Sequence, residues 1–219
     1  MFILIFVSSV AYSAIIIYSF NLIPYKWLCD YDADISNCPA QKLLSFPLHF
    51  FLIFLFALIN LLLIFSQPHS IFDIFTSVMM TGILGHICLS DILYLIIPDQ
   101  HILLIFILGF LNVNPENAGY KLTGIFAGAL PLLLLLALGL LLKDREYIGF
   151  GDIKLMGALG FLTGSASILN VYIISSFLSG IFFLILAFLT VIRKIRTTPA
   201  FMPLAPFISL AFTACTQSL

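Results

Sequence analysis

The sequence predicts an all-α fold, a polytopic transmembrane helical bundle of about eight helices. Of 219 residues, 62% are hydrophobic and 9% charged, and the mean hydropathy is +1.19. That is far more apolar surface than one soluble domain buries. At ~20 residues per span, eight spans use roughly 160 residues and leave only short connections. Residues 1–219 therefore read as a single membrane domain without an appended soluble domain of ordinary size. A net charge of −1 and the lack of a basic run argue against nucleic acid or an anionic surface as the main partner.

The elements follow from the uncharged runs. Met1 to Tyr25 lacks a basic n-region and a compact core with a small-residue cleavage site, so it reads as a retained helix rather than a signal peptide. The second helix is expected from about Leu43 to Ser66 and the third from Ile71 to about Leu93. A short fourth runs from Gln100 to about Val113, closed by the turn residues Asn114 and Pro115. Leu122 to Leu142 is a 21-residue span. Leu155 to Ile192 offers 38 uncharged residues, about 57 Å as one helix at ~1.5 Å per residue, nearly twice the hydrocarbon core. The polar run from Thr163 to Ser167 is the natural break, giving a short sixth helix and a long seventh. Thr197 to Leu219, with Pro199, Pro203 and Pro206 near its start, makes the eighth.

Lysine and arginine set the orientation, because cytoplasmic loops hold the excess positive charge. Lys26 and Lys42 fall in the first loop, Lys143 and Arg145 in the fifth, and Arg193, Lys194 and Arg196 in the seventh. The even-numbered loops hold only Lys121. With Lys154 at the inner end of the sixth helix, eight basic residues lie inside against one outside. Both termini are thus expected outside the cytoplasm.

Eight of the ten acids have an ordinary solvated place. Asp30, Asp32, Asp34, Asp73, Glu116, Asp144 and Glu146 fall in loops or at loop edges, and Asp99 follows Pro98 in a turn. Asp91 and Asp152 differ. The first follows the apolar run of the third helix, and the second opens the sixth behind a glycine-rich turn. Ionisable groups at membrane depth are costly and usually functional, although an Asp at a helix boundary also serves as a cap. In the expected topology both carboxylates lie near the cytoplasmic boundary. Two carboxylates a few ångströms apart share a proton, one staying a base and the other an acid. That pair suits amide hydrolysis by water.

Around these acids the chain reads Ser90-Asp91-Ile92-Leu93-Tyr94-Leu95-Ile96-Ile97-Pro98-Asp99 and Gly149-Phe150-Gly151-Asp152-Ile153-Lys154-Leu155. An Asp seven residues before the Pro of an Ile-Pro-Asp turn, then Gly-x-Gly-Asp-x-Lys-Leu some sixty residues on, resembles the type IV prepilin peptidases, intramembrane aspartic proteases. The resemblance covers roughly 71–219, the expected peptidase core, and includes Met202-Pro203-Leu204-Ala205-Pro206-Phe207, similar to a proline-rich segment of the family. Residues 1–70 form a divergent N-terminal part with a short cytoplasmic loop, 26–42.

The resemblance implies that Asp91 and Asp152 are the catalytic dyad. Gly149, Gly151, Lys154, Pro98 and Asp99 would be supporting motif positions. It further implies a prepilin or pseudopilin substrate helix as partner, leader removal at the cytoplasmic face, and a bacterial inner membrane location. Many bacterial members also N-methylate the product with S-adenosylmethionine and carry a long first loop with two Cys-x-x-Cys pairs. Here that loop holds only Cys29 and Cys38, so neither a four-cysteine zinc site nor methyltransferase activity is expected.

The remaining residues carry weaker signals. Cys29, Cys38 and the alternating Asp30, Asp32 and Asp34 fit no structural zinc template, so no metal is expected. No cofactor motif is visible. A disulfide between Cys29 and Cys38 is not expected in a reducing compartment, and Cys88 and Cys215 read as apolar packing residues. Lys154 either anchors the helix at the interface or acts on Asp152 or the peptide carbonyl. His86 reads as a packed, hydrogen-bonded core histidine, and His49, His69 and His101 lie near span ends. Gly82, Gly85, Gly157 and Gly160 offer close helix approach. The alternative to a peptidase is a small transporter or ion-conducting protein that uses the boundary acids. It is disfavoured because no ionisable chain continues to the other face.

Overall fold

A computed structural model describes residues 2–29, 46–65, 70–111, 113–143, 148–193 and 202–216. Among these residues there are eight α-helices: α1 (Phe2–Asn21), α2 (Phe46–Ile64), α3 (Ile71–Tyr94), α4 (Asp99–Leu111), α5 (Ala118–Lys143), α6 (Phe150–Thr163), α7 (Ser165–Arg193) and α8 (Ala205–Thr216), with a 3₁₀ turn at Tyr25–Leu28. The fold is all-helical, as expected. Ile3–Asn21, Ile71–Tyr94, Ala118–Leu142 and Ser165–Thr190 are long and apolar enough to cross a membrane, and His49–Leu62, Asp99–Leu111 and Ala205–Cys215 are shorter apolar stretches. Most of the first loop, with Asp30, Asp32, Asp34, Cys38 and Lys42, lies outside the described residues, as do Arg145, Lys194 and Arg196. The chain divides into two compact units, Met1–Leu108 and Gly109–Leu219.

In the first unit, α1 packs against α2 and α3. Ile16, Ile17, Phe20, Ile23 and Leu28 are buried with Ile53 and Leu89, and Ile5 with Leu61 and Ile64. Early positions of α1 meet early positions of α3 and late ones of α2, and the late positions of α1 the reverse, so α1 runs parallel to α3 and antiparallel to α2. Helix α1 ends four residues earlier than the apolar run suggests, because Pro24 has no N–H to continue it and instead leads into the 3₁₀ turn. Ser70 and Asp73 form a capping box that starts α3. Gly82 and Gly85 do allow close approach: a methyl group there would meet the Tyr12 hydroxyl at 2.7 Å and Ile16 at 3.2 Å. The Tyr12 hydroxyl donates to the Val78 carbonyl at 2.6 Å. Cys88 is buried and reduced, a packing residue as expected. Cys29, by contrast, is disulfide-bonded, which corrects the expectation that it stays a thiol; the expected reducing surroundings were an argument from topology, not from local geometry.

In the second unit, α5 and α6 approach until backbones touch. A methyl group on Gly124 would sit 2.0 Å from the Gly160 carbonyl oxygen, one on Gly128 2.1 Å from that of Met156, and one on Gly160 2.1 Å from that of Gly124. Gly157 makes only ordinary contact with Ala129, at 3.5 Å. The expected break in the long apolar stretch falls at Gly164, which has φ +84° and lies so close to the Tyr120 ring that a side chain has no room. Pro131 interrupts the hydrogen-bond ladder of α5, and next to that interruption the Tyr172 hydroxyl of α7 donates to the Gly128 carbonyl. Lys121 is not a loop residue. It lies within the first turn of α5 and is buried, where its ammonium donates to the carbonyls of Gly109 at 3.2 Å and Leu162 at 3.5 Å. It therefore ties together the carbonyl ends of α4 and α6, the groups a helix leaves unpaired.

Candidate active site

Asp91 stands in the last turn of α3 and is only 6% exposed. The helix is closed behind it by Leu95 in the left-handed conformation, φ 56°, whose N–H donates to the Asp91 carbonyl at 2.9 Å. A non-glycine residue there carries strain that the surroundings must hold. Ser90, fully buried, supplies part of that hold: its hydroxyl donates to the Ile96 carbonyl at 2.6 Å, pinning the link 96–98 to the helix end. Pro98 is buried and starts α4 by accepting from the N–H groups of His101 at 3.0 Å and Ile102 at 3.4 Å. Asp99 is the first residue of α4 rather than part of a free turn. Pro98 and Asp99 thus shape the connection that follows Asp91.

Asp152 stands in the first turn of α6. The cap position belongs to Gly149, whose extended backbone (φ −68°, ψ 138°) starts the helix without a side-chain cap and whose carbonyl accepts from the Asp152 N–H at 3.1 Å. Asp152 is therefore not the cap residue itself. Its Oδ2 lies 3.4 Å from where a side chain on Gly149 would begin, an ordinary contact distance. Asp152 is half-buried and its Oδ1 is shielded from solvent. The first-turn N–H groups and the positive end of the helix dipole suit a negative charge at this point; at the carbonyl end of α3, around Asp91, the dipole has the opposite sense. Lys154 places its ammonium 5.0 Å from the centroid of the Phe150 ring, one helical turn back along the same face, and Phe150 itself is exposed.

The two carboxylates belong to different units, Asp91 to the first and Asp152 to the second. The structure adds three residues that sequence reasoning passed over. Ser90 and Leu95 set the turn behind Asp91, and His101 is buried against His86. Ser90 and Leu95 stood within the segment already marked by Asp91 and Pro98, and no periodicity singles out His101.

Fold and site thus define the class: a multi-pass helical membrane protein with a buried carboxylate at one helix end and a second in the opening turn of another. The particular family comes from comparison. Residues 78–184, a segment that contains both acids, match the model of the Type IV leader peptidase family. No curated protein and no solved structure matches significantly.

Proposed function

We propose that the chain is an intramembrane aspartic endopeptidase that removes the short leader of a type IV prepilin or pseudopilin. The observation that carries this reading is that the family segment 78–184 contains both motif aspartates, each within one turn of a helix end. In the reaction, one carboxylate is ionised and takes a proton from the attacking water. The other is protonated, donates to the scissile carbonyl oxygen, and the proton gained by the first then goes to the departing amine. The proton is shared by the pair, so acid and base are roles of the dyad rather than fixed labels. The excess of basic residues in the odd-numbered loops supports cleavage at the cytoplasmic face of a bacterial inner membrane. The substrate would be a membrane-inserted helix whose leader lies on that side. The first loop has no pair of Cys-x-x-Cys motifs, so the product is expected to leave with an unmethylated amino terminus.

Co-expression with a candidate prepilin in membranes, with the product followed by mass, tests this. Wild type should remove the leader, and Asp91→Asn and Asp152→Asn should each abolish removal while the protein still inserts. Full activity in either mutant removes that residue from the chemistry. Potential-dependent ion flux without a peptide product would favour a transporter.

A further inference from the structure

His86 and His101 form a buried pair with a fixed hydrogen-bond direction. His86 Nε2 lies 3.0 Å from the Ile16 carbonyl oxygen and 2.9 Å from Ser19 Oγ. A carbonyl only accepts, and the Ser19 hydroxyl spends its own proton on the carbonyls of Ile15 at 2.7 Å and Ile16 at 3.1 Å. His86 Nε2 must therefore carry the hydrogen, which in a neutral ring leaves Nδ1 as an acceptor. Nδ1 faces His101 Nε2 at 3.2 Å, so His101 Nε2 carries a hydrogen and donates. The chain of donors and acceptors then ends at His101 Nδ1, a bare lone pair. His101 is only 4% exposed, and among the described residues nothing satisfies Nδ1.

Such an atom is rare in a folded protein, and its natural complement is a small hydrogen-bond donor. Its place is also informative. His101 lies in the first turn of α4, directly after the link from Asp91's helix, and its ring meets the edge of Trp27 at 6.5 Å between centroids. Trp27 is partly exposed and sits just past the end of α1, so the site lies beneath a surface residue at the end of the helices where Asp91 is found. Along α3, His86 precedes Asp91 by five residues, about 7.5 Å along the axis at ~1.5 Å per residue and about 140° around it, so any link from the pair to the carboxylate runs through the α3–α4 connection where His101 stands.

We propose that His101 Nδ1 binds one water molecule at the α3–α4 link and that the His86–His101 pair positions water for Asp91. The second half rests on the peptidase reading above; the first does not. The water donates one hydrogen to Nδ1 and keeps its other hydrogen and its lone pairs for a second partner. His86 and His101 are positioning residues, acting through that water.

Two substitutions separate the ends of the imidazole. His101→Asn puts a carbonyl oxygen near the place of Nδ1 and loses the donor to His86. His101→Gln keeps a donor near the place of Nε2 and loses the acceptor. In histidine-labelled protein in detergent, nitrogen NMR of wild type should show His101 protonated at Nε2, unprotonated at Nδ1 and in contact with water, and His101→Gln should lose that water contact from the site. In leader cleavage, His101→Gln should lower kcat by roughly tenfold or more with KM unchanged, and His101→Asn should restore most of it. A proton on Nδ1, or no water contact in wild type, overturns the water site. Cleavage by both variants at the wild-type rate overturns the positioning role. A wild type that cleaves no leader sinks the peptidase reading and the positioning role with it, and the NMR result still decides the water site.

Discussion

The contact between α5 and α6 makes a prediction whose sign depends on position alone. Gly160→Ala adds one methyl group, and in place that carbon would lie 2.1 Å from the Gly124 carbonyl oxygen. Ordinary contact begins near 3.4 Å, so the helices must part by about 1.3 Å along that line. The neighbour is backbone on a second helix and cannot rotate aside. Parting loosens the reciprocal contacts at Gly124 and Gly128 as well, and atom pairs worth ~0.1–0.2 kcal/mol each are lost together. Overpacking of this kind costs about 1–3 kcal/mol, sometimes more, here at the upper end because no rotamer relieves it. Gly180→Ala is the control: nothing lies within 4 Å of the added carbon, and in mid-helix alanine is favoured by up to ~1 kcal/mol. Both variants, purified in the same detergent, would be compared with wild type in a reversible unfolding titration. Gly160→Ala should unfold earlier and Gly180→Ala no earlier than wild type. Equal midpoints for Gly160→Ala and wild type would show that the helices do not touch through their backbones.

Other substitutions test single features. Lys121→Met keeps the stem but removes the ammonium from two helix-end carbonyls; charged hydrogen bonds of this kind are worth ~1.5–3 kcal/mol, so stability should fall in the same titration, and an unchanged midpoint would make the lysine idle. Leu95→Gly relieves a left-handed residue that is half exposed and should raise stability by ~1 kcal/mol; a large loss would mean that the leucine side chain holds the turn. Lys154→Gln removes an interfacial cation stacked on Phe150 and should lower leader cleavage by less than roughly tenfold, the rate equivalent of ~1.4 kcal/mol. A loss as complete as that of Asp152→Asn would place the ammonium in the chemistry.

The helices were legible because composition and span length are strong signals in a membrane protein. The break near Thr163 could be read because 38 uncharged residues are too many for one crossing, and the structure puts it at Gly164. Boundaries failed where a local rule overrode hydropathy. Pro24 ended α1 early, and Lys121 was read as a loop charge although α5 begins at Ala118, because a buried lysine held by carbonyls has no mark in sequence. Of the glycines read as points of close approach, Gly82, Gly85 and Gly160 are tight and Gly157 makes only ordinary contact, while Gly124 and Gly128 are not marked by the sequence. Which glycine faces the neighbour depends on helix rotation, and a continuous apolar run such as α5 carries no moment to reveal it. Asp91 and Asp152 were found at the helix ends where the apolar runs placed them. His101 was not singled out because its partner is His86, 15 residues away across a turn.

The short helices bear on why the acids stand at helix ends. Helices α4 and α6 have 13 and 14 residues, about 20 Å each at ~1.5 Å per residue, against a hydrocarbon core of ~30 Å. Such a helix cannot have both ends in the polar interface, so at least one set of its unpaired backbone groups falls at apolar depth and needs protein groups or water. At the far ends of α4 and α6 the protein supplies Lys121, whose ammonium meets both carbonyl ends. Asp99 stands in the first turn of α4 and Asp152 in the first turn of α6, and Asp91 stands in the last turn of α3, before the link into α4. A carboxylate at a helix end adds less desolvation cost than one in mid-span, because the backbone there already needs polar partners. Hydrolysis consumes water, so a peptidase within a membrane needs its carboxylates where the backbone already requires polar surroundings.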